Sequence, residues 1–298
     1  MAGQHQLTLS KGGISIDLYS WLNTKRLGKK GTQALSGIVG FGFPDQSNRW
    51  FEGAGDGASW RGARQGRRSI DLPIMVEGDN RNEVMQGLSD LARVLDPKTG
   101  PARLHFALPD GELWFVDVVR DGGGDWSRNT KDSDNRTFVK FILTLVAGDP
   151  YWTRERAENF FVRQDDSGRG LMPRPARLEL SDAGAFGINE VTNIGDAEAF
   201  PLIYANGAFT RIVMTGPNGE VLDWSGNVNA QERLTFDAKT GTVKDQDGDN
   251  RYDGFSSDPP PLFWSIAPGT SEVTIQAFDT DNSTEIVATW QPRRWMVM

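Results

Sequence analysis

Two stretches of this 298-residue chain concentrate residue types that can do chemistry. The first is RGARQGRR, where Arg61, Arg64, Arg67 and Arg68 set four guanidinium groups within eight residues. Such density suits a phosphate, because a guanidinium forks onto paired oxygens, and it equally suits a solvated loop or a protein contact. The second is KDQDGDNRYDG, residues 244–254, where Asp245, Asp247 and Asp249 alternate as in a calcium loop. Its glycine falls at the fourth position instead of the sixth, and the twelfth is Ser256, not Glu. The better expectation is a tight reversal at Asp247-Gly248 with its acids in solvent.

The remaining inventory argues against catalysis. His5 and His105 are the only histidines and there is no cysteine, so a histidine-dependent triad, a multi-histidine metal site and thiolate chemistry have almost nothing to draw on. The 40 acidic residues offer no spacing that singles out a glycosidase pair. No catalytic, cofactor or metal residue is assigned, and the chain reads as a non-enzyme.

The elements that must position these residues are mostly strands. Gln6–Leu9, Ile14–Leu18, Ile38–Phe43, Ser69–Val76, Ala102–Leu108, Leu113–Val119 and Thr137–Val146 are rich in β-branched and aromatic residues, several alternating with polar ones. One helix stands out in GDNRNEVMQGLSDLARVLDPKTG. Asp79 or Asn80 can cap it, Val84, Leu88, Leu91 and Leu95 form its apolar stripe, and Asp96-Pro97 ends it. The Pro-Asp-Gly of ALPDGELWFV predicts a hairpin turn. Between Pro44 and Arg68 the Gly- and Arg-rich sequence predicts a long loop, functional or mobile, of about 25 residues.

AGDPYW, residues 147–152, stops the strand FVKFILTLV and marks a boundary. Residues 1–150 hold 19 Lys and Arg against 18 Asp and Glu, whereas residues 151–298 hold 13 against 22, so a near-neutral half precedes one of net −9. Two domains, 1–152 and 153–298, are therefore expected, with Arg154 to Pro175 as the connection and FFVRQ, residues 160–164, as a short added strand. Arg177–Leu180, Leu202–Tyr204, Arg211–Met214, Arg233–Phe236, Val273–Phe278 and Glu285–Trp290, with turns at GPNG and APGT, predict a sandwich of antiparallel sheets. The N-terminus lacks the apolar core of a signal peptide, and no apolar run reaches the roughly 18 residues of a membrane span, so a soluble, untargeted chain is expected.

The order VTNIGDAEAFPLI, TGPNGEVLDW, LTFDAKTGTV, LFWSIAPGTSEVTI and ATWQPRRW resembles the C-terminal domain of the distal tail proteins of long-tailed bacteriophages. The first half resembles the same family through the helix ending LARVLDP, through PARLHFALPDGELWFV and through the terminal strand running into AGDPYW. Ser271 stands where the family often has Asn. The resemblance implies a mainly β chain: an N-terminal β-sandwich-like ring domain with one α-helix, then a C-terminal galectin-like β-sandwich.

It also implies a structural protein of the virion, made in the host cytoplasm and placed at the distal end of the tail. There it forms a homohexameric ring around a channel for DNA. The implied partners are other copies of itself, the tail tube protein, the baseplate hub or tail-associated protein and the tape measure protein, with genomic DNA only in transit and no membrane. Six copies at −8 would make an acidic ring to which passing DNA adsorbs poorly.

Because the first half is near neutral, it is expected to carry assembly, with Arg61, Arg64, Arg67 and Arg68 as candidate contacts. The rival reading is a carbohydrate-binding sandwich for host-surface adhesion, with Trp224, Trp264, Trp290 and Trp295 as an aromatic platform.

Overall fold

In a computed structural model, residues 6–20, 30–127, 133–134, 136–163 and 185–298 are described. The chain divides into two compact units, Met1–Glu155 with Arg294–Met298, and Arg156–Arg293. The last five residues therefore belong with the first unit and not with the sandwich that precedes them. The reason is apolar burial and pairing: Val297 is buried in the first unit's core and its amide donates to Phe41 O at 3.3 Å.

The first unit contains β1 (Gln6–Lys11), β2 (Ile14–Ser20), β3 (Gly31–Ala34), β4 (Gln46–Glu52), β5 (Ala58–Gln65), β6 (Arg68–Glu77), α1 (Arg81–Val94), β7 (Ala102–Ala107), β8 (Leu113–Gly123), β9 (Phe138–Ala147) and β10 (Trp152–Arg154). The main sheet runs β2-β1-β7-β8-β9-β6-β3, with β10 beside β8. β2 lies against β3, and α1 packs on β1, β2, β3 and β6, so the sheet curls around the helix.

Period-two alternation explains the core. In RSIDLPIMVE every second residue from Arg68 through Ile70, Leu72, Ile74 and Val76 is buried, while Asp71, Pro73 and Met75 face outward. Asn80 rather than Asp79 caps α1, its Oδ1 accepting from Asn82 N at 3.0 Å and Glu83 N at 3.2 Å. Glu83 reaches back to Asp79 N at 2.8 Å, which completes a reciprocal cap. Val84, Leu91 and Val94 are buried, with Leu88 and Leu95 packed beside them.

Ile38–Phe43 does not form the expected strand. Only the Val39–Asp71 bridge pairs it, because the Gly40 and Gly42 carbonyls turn onto Arg68 at 2.6 Å each instead of entering a ladder. Gly40 lies so close to β6 that an added Cβ would sit 2.1 Å from Ser69 O.

The second unit contains β11 (Glu158–Arg163), β12 (Ala185–Asn193), β13 (Leu202–Asn206), β14 (Phe209–Thr215), β15 (Val221–Val228), β16 (Arg233–Asp237), β17 (Thr242–Asp245), β18 (Gly269–Phe278) and β19 (Glu285–Trp290). One sheet runs β11-β19-β13-β16-β17 and the other β12-β18-β14-β15. Ile203, Phe236 and Ala288 from the first meet Ile212, Trp224 and Ile275 from the second in one core, which makes the unit a β-sandwich. Residues 160–163 of FFVRQ do lie in an added strand, β11, at the sheet edge beside β19, and Gln164 falls outside the described residues. The connection through Pro175 and the strand expected at Arg177–Leu180 fall largely outside the described residues.

Candidate assembly surface

The segment read as a long loop is a hairpin. β4 and β5 pair with each other as a separate two-stranded sheet, from Gln46 opposite Gln65 to Glu52 opposite Ala58. GAGDG supplies the reversal, and Gly57 takes a positive φ of 92° there. Gly66 N donates to Asp45 O at 2.6 Å and closes the base. The substantial contacts of this arm are within itself.

The two flanks of the arm differ. On one, Gln65 Nε2 donates to Gln46 Oε1 at 3.1 Å, Gln46 Nε2 to Asn48 Oδ1 at 2.8 Å and Trp60 Nε1 to the same Asn48 Oδ1 at 3.2 Å. Trp50 pairs opposite Trp60 and both rings stand open to solvent, at 60% and 58% exposure. On the other, a bulge between Arg49 and Trp50 in the pairing brings Arg61 over the exposed Phe51 ring at 5.3 Å. Arg49, Arg61, Arg64 and Arg67 line a shallow basic groove there, with Gly148 beside it.

Arg61, Arg64 and Arg67 are exposed on or beside the arm, but Arg68 parts from them. It is 1% exposed, and besides Gly40 and Gly42 it donates to Pro150 O at 2.7 Å and to Trp295 O. Its guanidinium lies 5.9 Å over the Trp152 ring. Arg68 is thus a structural clamp inside the first unit and not a surface contact. Burial pulls its pKa down to about 10, which leaves the cation intact at neutral pH.

Sequence reasoning missed the rings of the arm. The signal was present: Trp50, Phe51 and Trp60 flank a glycine-rich pentapeptide, a hairpin pattern once the arginines are set aside.

His105 stands on β7 with Ser10 Oγ 3.4 Å from Nδ1 and Glu155 Oε2 3.4 Å from Nε2. The order is that of a serine–histidine–carboxylate relay. The contacts are long, however, and the strand backbones around Ser10 are paired with β2 and β7 instead of converging on a substrate oxygen. Arg103 completes a charge network, donating to Asp117 at 3.0 Å and stacking 3.8 Å over Phe115. Burial holds His105 below the ordinary imidazole range, against the opposing pull of Glu155. His5 lies outside the described residues.

The Asp247-Gly248 reversal forms at the end of β17. Gly248 N donates to Asp245 O at 3.2 Å with φ +89°, and Lys244 bridges Asn250. Asp245 Oδ1 already accepts from Asp247 N at 3.1 Å and Asp249 N at 2.9 Å, so one carboxylate is engaged in holding the turn. The expected consequence is indifference to calcium. Exchanging millimolar calcium for chelator shifts the melting temperature by less than about 1 °C, and a rise of several degrees with calcium would contradict it.

The aromatic platform fails on burial. Trp224, Trp264 and Trp290 all lie in the sandwich core, Trp224 donating to Arg251 O at 2.8 Å, and Trp295 belongs to the first unit against Phe43 and Tyr151.

No protein-family model and no curated protein matches the chain. Solved structures do. The Dit protein of phage SPP1, described as a paradigm of the hub adsorption apparatus in phages infecting Gram-positive bacteria, aligns with a TM-score of 0.65 at 13% identity, over 96% of this chain and 98% of that one. A chain of the phage P2 baseplate in its activated conformation with calcium aligns with a TM-score of 0.53 at 11% identity, over 98% of this chain and 99% of that one. The same baseplate with strontium gives 0.52 and 11%, over 99% and 100%. Both units therefore share the fold of phage hub and baseplate proteins from end to end.

Proposed function

We propose that this chain is a distal tail protein of a long-tailed bacteriophage, a structural subunit that closes into a hexameric ring. The ring joins the tail tube to the baseplate hub and leaves a channel for the genome. The observation that carries the reading is the β4–β5 arm, which holds Trp50, Phe51 and Trp60 in water on a fold shared over nearly its full length with phage hub proteins. Exposed rings of this size mark an interaction surface, and closed rings form when one surface of a subunit meets a different surface of the next. In this reading the tube protein, the hub protein and the tape measure protein meet the ring, DNA only passes through it, and no reaction is catalysed.

Native mass spectrometry and negative-stain imaging of the purified chain test the proposal. The expected result is a species of six chains with a central hole, populated more as concentration rises. A protein that stays monomeric at every concentration defeats the ring.

A further inference from the structure

We infer that the β4–β5 arm of one copy seats on the outer face of the first unit's sheet in the next copy, a contact that rests on the ring reading above. Ring closure needs a second, different surface to receive the arm. The outer face of β6 and β9 supplies one. Pro73 pairs opposite Ile142, and Val39 bridges Asp71 one step along the same face. Val39 is 63% exposed and Ile142 58%, far above what a covered sheet face leaves open.

Charge fits as well as shape. Asp71 lies half-buried in this apolar strip, its Oδ1 accepting from Thr144 Oγ1 at 2.7 Å. Among the described residues no cation pairs with it, and a carboxylate so placed attracts a guanidinium more strongly than one in open water. The arm brings the complement on one flank, the exposed Phe51 ring with the Arg61 guanidinium stacked on it.

On the flank that carries Arg61, Phe51 buries roughly 150–250 Å², while Trp50 and Trp60 hold roughly 300–500 Å² on the opposite flank. A two-stranded ribbon is also marginal by itself in water, so an arm with no cover of its own gains most from a neighbour.

The chain contains no cysteine, which makes the contact directly addressable. Ser59 is exposed and pairs opposite Phe51, so Ser59→Cys marks the arm, and Val39→Cys marks the strip. Each is made in a separate chain, the two are co-expressed, and a short bismaleimide is added. A cross-linked pair can then form only between copies, and the expected result is such a pair in the mixture, with each variant alone giving less than a tenth of it.

Charge reversal gives a second readout. Asp71→Arg raises the concentration needed for rings at least tenfold, and Arg61→Asp in the same chain recovers most of the loss. Rings that form without the mixed cross-link and ignore Asp71→Arg overturn this contact while leaving the ring standing, with the arm then free to face another tail protein. A wild-type chain that never assembles fails the ring reading itself, and this contact with it.

Discussion

Replacing Arg68 with methionine lowers the stability of the first unit by about 3–5 kcal/mol, because it takes the charged donor from several carbonyls at once. The side chain occupies a core position of β6, in phase with Ile70 and Leu72, yet among the described residues it pairs with no carboxylate. Its partners are four carbonyls: Gly40 and Gly42 on the segment that replaces a strand, Pro150 in the boundary sequence and Trp295 near the C-terminus. These are carbonyls that no ladder takes up, and a methionine of similar volume leaves them short of a donor in a part-buried setting, at up to about 1–3 kcal/mol for the better-covered ones.

Arg68→Lys is the informative companion. Its three donors sit on one nitrogen and cannot span the same set, so it loses less than methionine but more than half as much. Urea unfolding followed by tryptophan fluorescence reads the change, with the Trp152 ring next to the guanidinium as reporter. A loss under about 1 kcal/mol, the scale of one ordinary hydrogen bond, would show the clamp to be incidental.

The same residue shows how much of the molecule was legible beforehand. Period-two alternation in RSIDLPIMVE is visible in the sequence and places Arg68 with the buried set, so the clamp could have been separated from Arg61, Arg64 and Arg67. Arginine density groups all four together, but it is a property of composition and not of phase. The helix was readable to its stripe because a spacing of four, three and four is specific to a helical face, and only the choice between Asp79 and Asn80 needed coordinates.

What the sequence hid depended on distant partners. Ile38–Phe43 has strand composition, but whether its carbonyls enter a ladder or turn to a guanidinium is decided by Arg68, in the next strand of the main sheet. WMVM at the C-terminus has nothing local to say that it returns to the first unit, where Val297 finds its core. The receiving strip was hidden for a related reason. Val39, Asp71 and Ile142 become neighbours only through the β6–β9 register and one isolated bridge.

Excising the arm abolishes ring formation and leaves the subunit folded. Asp45 and Gly66 are already hydrogen-bonded across its base, so residues 46–65 can be replaced by Asn-Gly, a two-residue reversal that suits strands paired this closely. The arm gives no residue to the hydrophobic core of the first unit, and unfolding should therefore move by no more than about 0.5 kcal/mol, the usual bound for surface changes. Assembly loses far more. Trp50, Phe51 and Trp60 each forfeit about 1.5–3 kcal/mol of burial, and arginine contacts of the Arg61 kind go with them. Even half of the rings' sum, about 2.3–4.5 kcal/mol, weakens each contact by at least about 40-fold, since 1.4 kcal/mol is tenfold. A ring multiplies the loss over every interface, so the excised chain should run as a monomer in native mass spectrometry where the proposed ring of the intact chain is expected at six copies. A hexamer that survives the excision would move the assembly surface off the arm altogether and onto the body of the subunit.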